Sequence, residues 1–320
     1  MLPIAIVGAG NMAREHIRAF ASLPGVAVAG ITSRTRARAE SLAAEFGIRH
    51  VCDSIDELHQ ATGAVLCVST VFETAMRDVA IECCRYPWTV LLEKPPGIDL
   101  AAAVEIDSAA KERGRTVLVG LNRRFLSATR AALNDLASCP GPRFIHVQDQ
   151  QSLAVAHDLN HPPEVVARWM YANSIHLVDY LRCFGRGRVN DVQLLSPPPN
   201  GLDVVVARVV FSSGDVGLYE AVWDGPGPWA ATVTTSTKRW ELRPLEQARY
   251  QMTGERRLVD VAVNDDDVQF KPGFKRQAEH AVAAACRLPN ESTTLTEALE
   301  TMQLIQAIYR PKQAPAGALV

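Results

Sequence analysis

Leu2-Pro3-Ile4-Ala5-Ile6-Val7-Gly8-Ala9-Gly10-Asn11-Met12-Ala13 is the stretch that decides the fold of this 320-residue chain. The run Ile4 to Val7 has no polar interruption, so it reads as a parallel strand buried on both faces. Residues 8–13 fit Gly-x-Gly-x-x-Ala and open a helix over 12–22. In the dinucleotide fingerprint Gly8 permits the tight turn, Gly10 lets the backbone approach a pyrophosphate, and Ala13 is the small residue where helix packs on strand. The N–H groups of Asn11 and Met12, with the helix dipole, then face the anion.

The wider composition sets the limits. At 320 residues the chain exceeds one typical domain, and 48% hydrophobic with 21% charged residues describes an ordinary globular protein with ample core. A net charge of −2 gives no reason to expect nucleic acid or an anionic membrane as partner. Seven scattered cysteines, with no Cys-x-x-Cys, suit a reducing cytoplasm rather than a disulfide framework. The opening apolar run stops at Gly8, too soon for a signal peptide or membrane span, so a cytoplasmic location is expected.

Outward from the glycine turn, strands and helices alternate. The second strand, 26–31, ends in Thr32-Ser33-Arg34, where a dinucleotide fold meets the adenosine ribose. An acidic residue there would accept from a free 2′-hydroxyl; Ser33 and Arg34 instead offer donors to a 2′-phosphate and favour NADP over NAD, with Arg36 and Arg38 as further cations. A strand over 64–68 closes in Ser69-Thr70, at the carboxyl rim where cofactor lies. Another, 88–92, runs into Glu93-Lys94-Pro95-Pro96-Gly97, which holds Lys94 at the same rim. There Lys94 can donate to a substrate oxygen and, with its pKa lowered by burial, accept a proton. A sixth strand over 116–120 completes a doubly wound α/β sheet.

Gly8-Ala9-Gly10-Asn11-Met12-Ala13, the Ser33-Arg34 turn, Glu93-Lys94-Pro95 and Asn122-Arg123-Arg124-Phe125 resemble the glucose-fructose oxidoreductase / inositol dehydrogenase / MocA family over nearly the whole chain. The resemblance implies a Rossmann domain over 1–121, a substrate-binding and oligomerisation α/β domain with an open, mainly antiparallel sheet over 122–310, and a tail over 311–320. It implies NAD(P)-dependent chemistry on a sugar, sugar nucleotide or cyclitol, with Gly8, Gly10, Asn11, Met12, Ser33, Arg34, Arg38, Ser69, Thr70, Glu93, Lys94 and Pro95 toward the cofactor. It also implies a homodimer or homotetramer through the open sheet face.

By the same resemblance His176, on a helix expected over 164–184, matches the histidine that serves as acid or base toward the reacting hydroxyl. The family frequently has an aspartate four residues earlier; here that residue is Ala172. Three outcomes are open: Lys94 and His176 act as a pair, the substrate supplies an acidic group, or the protein mainly binds. His157 and His161 are four apart, but Pro162 and Pro163 make a helix there improbable and no further ligand cluster is visible, so no metal is expected. The stretch 151–163 reads as a polar loop, with His157, Arg168, Trp169 and Asn173 as substrate contacts. Arg123 and Arg124 lie near the nicotinamide end, one reaching substrate, the other a solvated helix-start charge. The reading is an NAD(P)-dependent oxidoreductase acting on a secondary alcohol or keto group. Its alternatives are a silent NADP-binding sensor and a cofactor-retaining enzyme that oxidises and re-reduces one substrate.

Overall fold

Six parallel strands in the order β3-β2-β1-β4-β5-β6 form the first sheet: β1 (Leu2–Val7), β2 (Val26–Thr32), β3 (His50–Cys52), β4 (Leu66–Ser69), β5 (Thr89–Leu92) and β6 (Val117–Val119). The computed structural model describes residues 1–195 and 203–309, so the tail expected over 311–320 lies outside the described residues. Strand order reverses between β1 and β4, whose ends pair Val7 with Ser69. The crevice beyond those carboxyl ends is where a doubly wound sheet takes its ligand.

The period-2 alternation of each strand divides the core in two. Ile4, Ile6, Leu66, Val68, Leu91 and Leu118 meet α1 (Asn11–Ala21) and α2 (Arg36–Phe46) on one face. Ala5, Val7, Cys67, Val90 and Leu92 meet α3 (Ile55–Thr62), α4 (Glu73–Cys83) and α5 (Leu100–Glu112) on the other. Local signals mark the helix ends: Ser54 and Asp99 accept from backbone N–H groups three residues on, and Gly47 ends α2 in the left-handed region.

Beyond β6 a 3₁₀ turn (Asn122–Phe125) leads to α6 (Ser127–Leu136) and β7 (Phe144–Gln151). The expected loop over 151–163 instead contains α7 (Leu153–Asp158), because the Ser152 hydroxyl accepts from Val155 N–H and caps a short helix before the prolines. The expected helix 164–184 is three pieces: α8 (Pro163–Val166), a π-helical turn (Met170–Ser174) and α9 (Ile175–Phe184).

The second sheet has eight strands in the order β14-β13-β12-β11-β7-β10-β9-β8, with β8 (Val189–Leu194), β9 (Asp203–Phe211), β10 (Val216–Trp223), β11 (Ala230–Thr234), β12 (Lys238–Leu242), β13 (Ala248–Met252) and β14 (Val259–Val261). All its neighbours run antiparallel except β7 and β10. β7 and β10 alternate buried with half-buried residues, one face packing under α9 and the other left open.

The last helices are α10 (Asp265–Gln269), α11 (Phe274–Ala285) and α12 (Leu295–Tyr309). α11 returns to the first sheet, where Phe274, Ala278 and Ala281 join the core beside α1. The crossovers α4 and α5 both lie on the opposite face, so without α11 the apolar residues Leu91 and Leu118 would face water. Full burial of each such side chain stabilises by about 1.5–3 kcal/mol.

Candidate active site

The glycine turn shows two different requirements for glycine. Gly8 has φ +106°, and a Cβ there would lie 2.6 Å from Thr70 Oγ1 and 3.0 Å from the Thr70 carbonyl. Gly10 has φ −94°, open to any residue, and a Cβ there would meet no protein atom within 4 Å. Gly8 is fixed by the fold, whereas the space beside Gly10 belongs to the crevice. No side chain caps α1 and its first turn carries no acid; Asn11 is exposed and Met12 half-buried. This bare, positively polarised helix end beside an open glycine fits a dinucleotide pyrophosphate. Thr70 is half-buried, its N–H donating to the Val7 carbonyl at 2.8 Å, so it lines the turn.

Ser69, expected at the cofactor, is corrected. It is 0% exposed, its hydroxyl directed to Met76 Sδ at 3.8 Å and its carbonyl held by Glu93 N–H, so no surface remains for a ligand. At the ribose end, Ser33 is half-buried and Arg34 and Arg38 are exposed with no ion pair among the described residues. Arg36, expected as a further cation, is engaged by Glu40 at 2.9 Å and by Asp53.

At the end of β5 the buried Glu93 carboxylate accepts from His16 Nε2 at 2.7 Å and from Lys94 N–H at 3.2 Å. Burial works to raise the Glu93 pKa, but the His16 hydrogen bond and the Lys94 charge hold it below the usual range. Glu93 therefore ties the strand end to α1 and positions the Lys94 backbone rather than facing a ligand. Pro95 is buried, joined by a cis peptide to Lys94. The Lys94 side chain crosses to the second half of the chain, donating from Nζ to the Ala172 carbonyl at 2.7 Å.

His176 follows one turn later on α9, 7% exposed, with its Nδ1 buried and unpartnered. Burial, then the charges of Arg123, Lys94 and Lys271, push its pKa well below the ordinary value, so it is neutral near pH 7. Burial likewise lowers Lys94, against the opposing charge of Glu93. One turn beyond His176, Tyr180 donates to the Arg123 carbonyl at 3.3 Å, so Lys94 and Arg123 flank the histidine along one helix stripe. Arg123 stacks on Trp229, its guanidinium carbon 4.8 Å from the ring centre, and donates to Glu246 at 3.1 Å.

Two other expectations are corrected, those for Arg124 and Trp169. Arg124 is not a solvated charge: it pairs bidentately with buried Asp179, both bonds 2.7 Å, and the Thr301 hydroxyl adds a bond to the same carboxylate. Trp169 is 8% exposed and packed in the core, its indole N–H donating to Gln151 Oε1, so it offers no open platform for a sugar. Asn173 donates to the same Gln151 oxygen at 2.8 Å. Arg168 is half-buried, meeting Asp99 at 3.3 Å and the Glu164 carbonyl. His157 is exposed at the end of α7. Gln151 carries no motif, and only its contacts with Trp169 and Asn173 place it at this site; Lys271, exposed with its Nζ 5.7 Å from the Phe274 ring centre, enters only through its charge on Lys94 and His176. Among the described residues no group of three or more His, Cys, Asp or Glu is arranged to hold a metal, and no helix is long and apolar enough to cross a membrane.

Residues 2–121 match the GFO_IDH_MocA family model, an oxidoreductase family with an NAD-binding Rossmann fold. Glucose-6-phosphate 3-dehydrogenase of Bacillus subtilis (strain 168) is 29% identical over 127 residues, 40% of this chain and 35% of its own length. 4-Carboxy-2-hydroxymuconate-6-semialdehyde dehydrogenase of Sphingobium sp. (strain NBRC 103272 / SYK-6) is 28% identical over 125 residues, 38% of this chain and 39% of its own. The matched stretch thus spans well under half the length of these curated relatives. Among solved structures, UDP-N-acetylglucosamine 3-dehydrogenase from Acidithiobacillus ferrooxidans superposes with a TM-score of 0.75 over 96% of both chains at 17% identity. Levoglucosan dehydrogenase, in complex with NADH and levoglucosan, gives 0.78 over 96% of both at 15% identity; at such identities the likeness is one of fold. Over residues 2–121, then, the chain is similar to the Gfo/Idh/MocA oxidoreductases and their NAD-binding Rossmann fold.

Proposed function

We propose that this protein is an NADP-dependent dehydrogenase or reductase acting on a secondary alcohol or keto group of a sugar-like substrate, with 1–121 holding the dinucleotide and 122–310 the substrate. The observation that carries the reading is Lys94 reaching from the Rossmann rim to the Ala172 carbonyl, one turn before a buried, neutral His176. Glucose-6-phosphate 3-dehydrogenase among the curated relatives supports a sugar-like alcohol as substrate class.

The Gly8–Gly10 turn, Asn11 and Met12 would hold the pyrophosphate, and Ser33, Arg34 and Arg38 the 2′-phosphate. Nicotinamide, when bound, accepts or donates the hydride. Lys94, fixed by the Ala172 carbonyl, donates to the reacting oxygen and polarises it. His176, neutral near pH 7, takes the hydroxyl proton during oxidation, and Lys94, lowered by burial, shares that proton. The open face of the second sheet is the surface through which two or four copies would assemble.

Cofactor choice is tested by Arg34→Gln. A hydrogen bond to a charged group is worth about 1.5–3 kcal/mol, so NADPH affinity should fall by roughly 10- to 150-fold while NADH affinity stays near wild type. Titration calorimetry with both nucleotides reads this directly. Equal affinity of the wild-type protein for the two would end the NADP assignment, and affinity for neither would end the dehydrogenase reading.

A further inference from the structure

Three cations converge on His176 from separate parts of the chain. Lys94 meets the π-helical turn that precedes it. Arg123 lies against the turn that succeeds it, through the Tyr180 bond to its carbonyl. Lys271 is exposed, its Nζ 5.7 Å from the Phe274 ring centre, in the segment Lys271-Pro272-Gly273 that is held next to the Asn122–Arg123 turn by the Asn122 amide donating to the Pro272 carbonyl at 3.0 Å. The charges of Arg123 and Lys271 both reach Lys94 and His176.

Nearby carboxylates compensate this charge at Lys94, where Glu93 and Glu73 act against Arg123 and Lys271, but not at His176, where the neighbouring charges that act are all positive. Glu93 is engaged by His16, and Glu246, its side chain 41% exposed, meets Arg123 through one terminal nitrogen. Arg123 Nε is buried without a partner, as is Nδ1 of His176, itself only 7% exposed. The guanidinium is fixed by the Trp229 ring with part of its fork unused, a geometry suited to a planar or tetrahedral oxyanion. Ala172 adds no negative charge where an aspartate would. In such a cluster, with His176 buried, Lys94 and Arg123 half-buried and Lys271 exposed, an acceptor that arrives with the ligand can complete the donors left over.

The geometry points to an oxyanion-bearing polyol as substrate, a sugar phosphate or sugar carboxylate, whose anionic group docks on Arg123 and Lys271 while its hydroxyl meets Lys94 and His176. The inference rests on the dehydrogenase reading above and specifies its substrate class; Lys271 becomes a specificity residue.

NADPH is titrated first. The NADPH-saturated protein is then titrated with D-glucose 6-phosphate, D-gluconate and D-glucose, in the wild type and in Arg123→Gln and Lys271→Gln. At least one anionic probe should bind about tenfold or more tightly than D-glucose, and lose about tenfold or more in each variant. The two anionic probes distinguish phosphate from carboxylate. Equal binding of D-glucose, no binding by either anion, or unchanged affinity in the variants would each overturn the inference while leaving the NADPH result standing. So would a Lys271→Gln protein that loses NADPH affinity but keeps anion affinity, which would assign the lysine to the cofactor. Absence of NADPH binding is a separate outcome, in which the dehydrogenase reading itself falls and this inference with it.

Discussion

Gly10→Ala should leave the fold intact and abolish tight NADPH binding, and the two halves of that statement come from different observations. Gly10 sits at φ −94° and ψ −172°, where an L-residue is unstrained, and its added methyl would meet no protein atom within 4 Å. By narrowing the unfolded ensemble the substitution should stabilise the free protein slightly, by about 0.4–1 kcal/mol. The same methyl occupies the space a pyrophosphate needs to reach the Asn11 and Met12 N–H groups. Losing two charge-assisted bonds at about 1.5–3 kcal/mol each predicts roughly a 10²- to 10⁴-fold drop in affinity. Gly8→Ala is the control. Its Cβ would strike Thr70 at 2.6 Å from a backbone at φ +106°, so the fold itself should lose at least about 1–3 kcal/mol. Melting midpoints without nucleotide and with saturating NADPH separate the two effects. Gly10→Ala should melt at or just above wild type alone and gain little from NADPH; Gly8→Ala should melt lower from the start. A Gly10→Ala protein that binds NADPH like wild type would refute the placement of the pyrophosphate at this turn.

Lys94→Ala and His176→Ala should each reduce turnover by about 10²- to 10⁴-fold with NADPH affinity near wild type, the usual scale for removing a positioned acid or base. Because burial and neighbouring cations lower His176, it stays an acceptor to below the ordinary histidine range; oxidation should show no acid limb within or above that range, and an acid limb centred above neutrality would remove His176 from the role. Asp215, wholly buried, tests the second sheet. Burial alone would raise its pKa, yet the Arg186 guanidinium and the backbone N–H groups of Arg143 and Arg186 hold it down at about 2. A pKa depressed on folding contributes stability above the unfolded value, lost as pH falls toward the folded one, so Asp215→Asn should cost about 2 kcal/mol at pH 7 and roughly half that near pH 3. A cost that does not change over that range in denaturant unfolding would contradict the ion pair.

The parts of the molecule legible in the sequence are those written in consecutive residues. The strand-turn-helix of 2–21, the Lys94 rim and the doubly wound order each depend on a local pattern that nothing distant overrides. What was hidden depends on partners far along the chain. Ala248–Met252 forms β13, yet its alternation is masked by Arg249, whose charge is met across the ladder by Glu241 on β12. One of Arg123 and Arg124 reads as a surface charge, yet α9 brings Asp179, 55 residues on, to Arg124. Trp169 in sequence allows core packing or a platform for a sugar face, and the choice falls to the core once Gln151 takes its N–H and the core closes over the ring. In each case the sequence names the residue, and only tertiary pairing decides whether water or protein surrounds it.

Ala172 shows what such pairing does to chemistry. An aspartate at this point on the helix would offer Lys94 and His176 a negative charge and so raise both pKa values. The π-helical turn instead presents the Ala172 carbonyl, which accepts from Lys94 at 2.7 Å. A carbonyl orients the ammonium as well as a carboxylate would, but as a neutral dipole it compensates less of the cost of burying charge. Both groups therefore lie below their ordinary pKa values, and His176 keeps a buried Nδ1 without a partner. Geometry is kept while the charge is left for something else to supply, which under the inference proposed above is an incoming anion.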